Sequence, residues 1–196
     1  QKLNPDQKLS LCMIVKNEEE NLDRCLKSVE GIVDEIIIVD TGSTDKTIEI
    51  SKKYTDKIFN YEWKNDFSDA RNYAFKYVKN DWLFWIDTDE EFILFDLINL
   101  EKLLSSDKES LFINRFDILP NEKGINLRCR FLKNLERNYF YGKIHEIPLK
   151  SNTDKYSIID EKVAIINHYP IIEGKKERNT NILKNILKLN YVEVFL

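Results

Sequence analysis

Glu35-Ile-Ile-Ile-Val-Asp40, followed at once by Thr41-Gly42-Ser43-Thr44, is the stretch that decides the fold. Three isoleucines and a valine in succession leave no polar face. Such a run is a strand covered on both sides, the pattern of a parallel sheet. A carboxylate closes it, a short polar loop follows, and residues 44–53 resume as a helix with Ile48 and Ile50 inside. Upstream, Leu9-Ser-Leu-Cys-Met-Ile-Val15 is a second buried strand ending in the polar residues Lys16-Asn17-Glu18-Glu19-Glu20. Leu22, Cys25, Leu26 and Val29 then recur at helical spacing among charges. Asn17 with Glu20 has the form of a capping box for that helix, and Gly31 ends it.

Downstream the unit repeats. Asp56-Lys-Ile-Phe59 reads as a short strand, and residues 67–78 as a helix with Ala70, Ala74, Phe75 and Val78 on one side. Trp82-Leu-Phe-Trp-Ile86 reads as a fourth strand. Strands alternating with helices imply right-handed βαβ units, hence an α/β fold with a mostly parallel sheet flanked by helices. From Ser110 the rhythm changes. Ser110–Ile118 and residues 127–132 read as strands around the turn material Pro120-Asn-Glu-Lys-Gly124, an antiparallel addition in the C-terminal half. Residues 162–166 are one more strand, and residues 173–189 a terminal helix with Ile182, Leu183, Ile186, Leu187 and Leu189 on its apolar side.

Composition bounds the function. In 196 residues, 42% hydrophobic and 33% charged, there is enough apolar material for one sizeable core, and wholesale disorder is excluded. A net charge of −4 gives no basic footprint for nucleic acid. No apolar run approaches the ~18 residues of a bilayer span, so no transmembrane segment is expected. Three widely spaced cysteines, Cys12, Cys25 and Cys129, form neither a zinc pattern nor a disulfide framework and fit a reducing cytoplasm. No secretory signal is visible, and the start at Gln1 and the apolar end, Val194-Phe-Leu196, suggest a piece trimmed from a longer chain.

In an open parallel sheet, ligands bind beyond the carboxyl ends of the strands, where the winding reverses. Three polar clusters sit at those ends: Lys16-Asn17-Glu18, Asp40-Thr41-Gly42-Ser43 and Asp87-Thr88-Asp89-Glu90-Glu91. Any one of them also fits a helix cap. Asp87-Thr88-Asp89 is the sharpest. Two carboxylates in one cleft repel unless a cation lies between them, and Mg²⁺ or Mn²⁺ favours oxygen ligands that it shares with substrate phosphate. The two histidines, His145 beside Glu146 and His168 after a strand, fit either ligands or hydrogen-bonded structural residues. Arg71, on a helix, fits either a solvated face or a diphosphate partner.

Four segments together resemble the opening of family 2 glycosyltransferases, which have the GT-A fold: Leu9 to Glu19, Asp34 to Asp45, Asn65-Asp-Phe-Ser-Asp-Ala-Arg-Asn72, and Asp81-Trp-Leu-Phe-Trp-Ile-Asp-Thr-Asp-Glu-Glu91. Gly142-Lys-Ile-His-Glu146, with His168 beyond it, resembles more loosely a bacterial subgroup. That subgroup includes bacteriocin-peptide, lipooligosaccharide and tetratricopeptide-linked glycosyltransferases. The resemblance implies a catalytic domain over residues 1–196, with a nucleotide-binding half at about 9–92 and an acceptor and metal half at about 93–190.

It also implies roles. Val15, Lys16, Asn17 and Asp40 would hold the uracil and ribose of a UDP-sugar, and Arg71 would lie near the diphosphate. Asp87 would contact ribose or metal, and Thr88 the nucleotide. Asp89 and His168 would hold Mn²⁺ or Mg²⁺, with Glu90 and Glu91 as further candidates for metal or sugar. Glu146 would be the catalytic base, although His-Glu stands here where many relatives carry Glu-Asp. The implied reaction is an inverting transfer of a hexose or N-acetylhexosamine to a peptide or protein side chain or a cell-surface glycan. Two other readings keep the fold: a sugar-phosphate nucleotidyltransferase, which usually has a Gly-rich loop where Lys16-Asn17-Glu18 stands, and a non-catalytic nucleotide-sugar-binding module. The sequence carries no signal of oligomeric state.

Overall fold

The computed structural model describes residues 7–119, 123–135, 139–144, 146–149, 155–170 and 182. The expected alternation is present: β1 (Leu9–Val15), α1 (Leu22–Val29), β2 (Glu35–Asp40), α2 (Thr47–Ser51), β3 (Ile58–Asn60), α3 (Phe67–Phe75) and β4 (Trp82–Trp85). There follow β5 (Glu90–Leu94), α4 (Leu97–Leu104), β6 (Ser110–Ile118), β7 (Lys123–Lys133), β8 (Tyr139–Tyr141), β9 (Ile147–Leu149), β10 (Tyr156–Ile158) and β11 (Ala164–His168). Among the described residues the main sheet runs β3-β2-β1-β4-β7-β6-β11-β5, with β10 on β6, and β8-β9 pair separately.

The unbroken apolar runs have a direct cause. Along β1, Leu9, Leu11, Met13 and Val15 enter the core that contains α1 and α4, while Cys12 enters the core that contains α3. Along β4, Trp82 and Phe84 face the first core, and Leu83 and Trp85 the second. Both faces are covered, so both alternating sets are apolar. Leu22, Cys25, Leu26 and Val29 are all fully buried, the stripe that periodicity predicts. Burial contributes about 1.5–3 kcal/mol for each of the larger side chains.

β2, β1 and β4 are parallel, with Val15 opposite Asp40 and Cys12 opposite Trp85. The winding reverses between β1 and β4, which opens a crevice at their carboxyl ends. β7 is antiparallel to both β4 and β6, so the C-terminal addition is welded to the parallel half. Phe84 of β4 stacks on Phe131 of β7 at 4.4 Å across that seam.

Several expectations shift. α2 is shorter than residues 44–53, and β7 is longer than 127–132, so Lys123 and Gly124 already belong to it. The capping box at Asn17 is not formed. Asn17 is left-handed (φ 51°), and Asn21 stands at the N-cap without a side-chain bond. The Asn17 side chain instead accepts from the Thr44 amide at 2.8 Å, tying the loop after β1 to the loop after β2. Residues 120–122, His145 and the expected helix at 173–189, except Ile182, lie outside the described residues; Ile182 is helical and buried. No helix among the described residues is long and apolar enough to cross a membrane. Cys12, Cys25 and Cys129 are thiols outside any disulfide. Burial pushes the Cys12 and Cys25 thiols well up, so neither is a nucleophile at neutral pH.

Candidate active site

A cavity of about 600 Å³ opens at the reversal between β1 and β4. Val15 and Lys16 line it from the end of β1, and Asp87, Thr88 and Asp89 from the turn after β4. Arg71 comes from α3, Glu146 from the loop before β9, and His168 from the end of β11. Five segments far apart in sequence thus converge on one rim, because the antiparallel addition folds back over the carboxyl ends of the parallel strands.

The segment 65–72 builds the hinge of this arrangement. Asp66 caps α3 by accepting from the Asp69 amide at 3.0 Å. Asp69 accepts from the Tyr61 hydroxyl at 2.5 Å. Asn72 clamps the β8 backbone, donating to the Phe140 carbonyl at 2.9 Å and accepting from its amide at 2.7 Å. The Phe67 amide donates to the Lys143 carbonyl at 3.1 Å. The loop that carries Glu146 is therefore held against α3, and Gly142 lets it turn with φ 103°.

Arg71 is the centre of the site. Its Nε donates to Glu146 Oε1 at 2.6 Å and an Nη donates to Asp87 Oδ1 at 2.8 Å. Burial works against its charge, but the Glu146 and Asp87 carboxylates outweigh that cost and hold the guanidinium above its ordinary value. The solvated-face reading of Arg71 does not hold; the residue is 7% exposed.

Asp89 is buried, and its Oδ2 lies 3.5 Å from His168 Nε2. On the other side of the ring, His168 Nδ1 is 2.7 Å from Asp117 Oδ1. Burial disfavours the imidazolium, yet the two carboxylates prevail and raise the His168 pKa. Among the described residues no three His, Cys, Asp or Glu side chains cluster in a metal-binding arrangement. The donor set nevertheless fits a hard divalent ion: one carboxylate and one imidazole at the cavity wall, the imidazole oriented by an outer carboxylate. Such an ion commonly completes its shell with substrate phosphate and water.

Glu90 is fully buried away from the cavity. Both it and Asp87 contact Arg130, and its Oε2 accepts from the Asp87 amide at 3.0 Å. Burial raises the Glu90 carboxyl pKa even against Arg130. It props the turn rather than reaching a ligand. Glu91 accepts from the Tyr169 hydroxyl at 3.0 Å.

Like Glu90 and Glu91, two more sequence candidates, Asp40 and Asn17, are not among the residues lining the cavity. Asp40 is buried, its carboxylate accepting from the Gly42 and Ser43 amides at 3.1 Å, while its neighbour Thr41 reaches the wall. Asn17 makes the loop-to-loop bond described above. The structure adds residues that sequence reasoning did not single out: Trp63, packed edge-on to Phe67 at 4.9 Å, and the β6–β7 arginines Arg115 and Arg128. The arginines had a readable signal, because Arg128 and Arg130 alternate with apolar residues in Leu127-Arg-Cys-Arg-Phe-Leu132.

The profile of the family described as "Glycosyl transferase family 2" matches residues 10–158. The chain belongs to glycosyl transferase family 2. Among family-like relatives it is 33% identical over 168 residues to a TPR repeat-containing protein of Synechococcus elongatus, covering 82% of this chain and 42% of that one. It is 31% identical over 191 residues to the SPbeta prophage-derived glycosyltransferase SunS of Bacillus subtilis, covering 90% of this chain and 44% of that one. The chain thus spans less than half the length of these curated relatives. Its fold matches that of S. aureus TarS 1–349, crystallised in complex with UDP-GlcNAc, with a TM-score of 0.64 at 15% identity over 86% of this chain and 60% of TarS. The family 2 assignment agrees with the GT-A sheet order and with the converging rim.

Proposed function

We propose that this chain carries the donor site and catalytic centre of a glycosyltransferase that moves a hexose or N-acetylhexosamine from a UDP-sugar, with inversion, to a hydroxyl or thiol of a peptide, protein or glycan. The observation that carries the reading is the bridge from Glu146 through Arg71 to Asp87, in the same cavity as Asp89 and His168. Family membership supports transfer chemistry, and the UDP-GlcNAc bound by TarS, whose fold this chain shares, supports a UDP-sugar donor. The nucleotide half is residues 9–92 and the acceptor and metal half residues 93–190. Cysteines that stay outside disulfides are in keeping with work in a reducing cytoplasm.

In this reading Val15, Lys16 and Thr88 flank the nucleoside, and Asp40 offers a spare lone pair toward uracil N3–H. Trp63 and Phe67 supply an apolar wall. Asp89 and His168 would hold Mn²⁺ or Mg²⁺, which when bound supplies Lewis-acid stabilisation of the leaving diphosphate. Arg71 adds fixed positive charge beside that position, pre-oriented by its two carboxylates. Glu146 takes the proton from the acceptor O–H or S–H. The acceptor atom forms its bond to the anomeric carbon as the bond from that carbon to the phosphate oxygen breaks. UDP leaves with the electron pair.

A thermal-shift panel of UDP-, GDP- and ADP-sugars, with and without Mn²⁺, tests the proposal. A ligand that binds only the folded protein raises its melting temperature by mass action. UDP-sugars with Mn²⁺ should give the largest shift. Equal shifts from all three nucleotides would contradict it.

A further inference from the structure

Beside the proposed donor cavity lies a second, of about 420 Å³. Both are lined by Arg71, Asp87 and Glu146, and by Arg115 and Arg128. The second cavity therefore begins where the first presents the proposed base. An acceptor has to reach Glu146 from the side that the donor does not fill, so the inference rests on the donor reading above.

The chemistry of the second cavity is uneven. Trp85, Phe112 and Phe140 give it aromatic walls. Four guanidinium groups line it, Arg71, Arg115, Arg128 and Arg130, against two carboxylates, Asp87 and Glu146. Behind the wall Asp117 and Glu90 balance two of these guanidinium groups, so the charge that is left facing the cavity depends on which arginine lacks a carboxylate. Three of the four arginines are committed. Arg71 holds Glu146 and Asp87, Arg115 pairs with Asp117 at 3.2 Å, and Arg130 pairs with the buried Glu90. Arg128, held by its backbone opposite Ile113, is exposed, and its side chain makes no hydrogen bond or ion pair among the described residues. It stands on β7 where both cavities meet.

We propose that the second cavity takes the acceptor, and that this acceptor carries an anionic group, phosphate or carboxylate, gripped by Arg128. An apolar portion of the same molecule packs on Trp85 and Phe140. A guanidinium offers paired N–H donors to either anion, so the two share one chemistry. The uncompensated charge of Arg128 also disfavours cationic acceptors. The reacting hydroxyl or thiol then lies between the anion site and Glu146.

The test titrates small probes into the full chain saturated with UDP and Mn²⁺, so that the donor cavity is filled, following Trp fluorescence. The probes are phenyl phosphate, phenylacetate and benzyl alcohol. At least one anionic probe should bind about ten-fold more tightly than benzyl alcohol, and Arg128→Gln should lose about that factor with an unchanged melting temperature. The stronger of the two anionic probes says whether phosphate or carboxylate is the natural group. Equal binding of benzyl alcohol, an unaffected Arg128→Gln, or anion binding seen only when UDP is left out would each overturn the proposal. Failure of UDP itself to bind would count against the donor reading alone. The same probes titrated without UDP into parent and Arg128→Gln would then still decide the anion site.

Discussion

Arg71 Nε lies 2.6 Å from Glu146 Oε1, across 75 positions of sequence, and the same guanidinium reaches Asp87 at 2.8 Å. One buried cation thus fixes the distance between the proposed base and the turn that carries Asp89. It also ties the C-terminal addition to the parallel sheet. If Glu146 is the base as proposed, stability and catalysis are coupled through this one side chain.

Removing that cation leaves the largely buried Glu146 carboxylate without its ion pair, while the more exposed Asp87 keeps Arg130. Arg71→Met should lower unfolding stability by roughly 3–5 kcal/mol, the usual cost of breaking a buried pair from one side. Arg71→Lys keeps the charge without the fork and should recover part of the loss. Urea denaturation reads both. An Arg71→Met protein as stable as the parent would show that the bridge contributes nothing to the fold.

Glu146→Gln keeps an oxygen for Arg71 but cannot accept the acceptor's proton. Its kcat should fall by about 10²–10⁴, with UDP-sugar affinity nearly unchanged. Steady-state kinetics with direct measurement of donor binding separates the two. A weakened donor affinity at unchanged kcat would move Glu146 from base to donor contact.

Asp117 lies behind His168 and is not among the residues lining the proposed donor cavity. Asp117→Asn should weaken Mn²⁺ binding in the presence of UDP by about 10–100-fold, as loss of an outer-shell orienting group does. Electron paramagnetic titration of free Mn²⁺ reads this. If Mn²⁺ affinity holds while only the melting temperature drops, Asp117 serves the fold rather than the metal.

Much of this was legible in the sequence, and the limits have physical causes. The βαβ half was readable because both sheet faces are covered, which makes whole strands apolar: Leu9–Val15 and Glu35–Asp40 form as read. The rim was readable because polar residues interrupt those runs where the sheet ends. β5 and α4 went unread, although Asp96 caps α4 by accepting from the Asn99 amide at 3.0 Å. β5 follows directly from the acidic turn and is fixed by pairing with β11, some 70 residues later, which no local pattern records. Asn17 was misread as a cap because its partner, Thr44, is brought by the tertiary fold. The clamp of Asn72 on Phe140 is invisible for the same reason.

Asp40 separates base recognition from loop support. Asp40→Asn retains an oxygen for the Gly42 and Ser43 amides, so stability should change by less than about 1 kcal/mol. The parent should prefer UDP over ADP, because adenine has no ring donor equivalent to uracil N3–H. The variant should lose much of that preference in competition binding. A preference left intact would assign Asp40 to the loop alone.

The most direct test of the donor site is calorimetric titration of UDP into the chain, once with Mn²⁺ and once with EDTA. If Asp89 and His168 hold a metal that shares the diphosphate with Arg71, UDP should bind with Mn²⁺ and lose at least about ten-fold in affinity without it. Binding of equal strength in both buffers, or no binding in either, would contradict the assignment of this cavity to a metal-dependent UDP-sugar site.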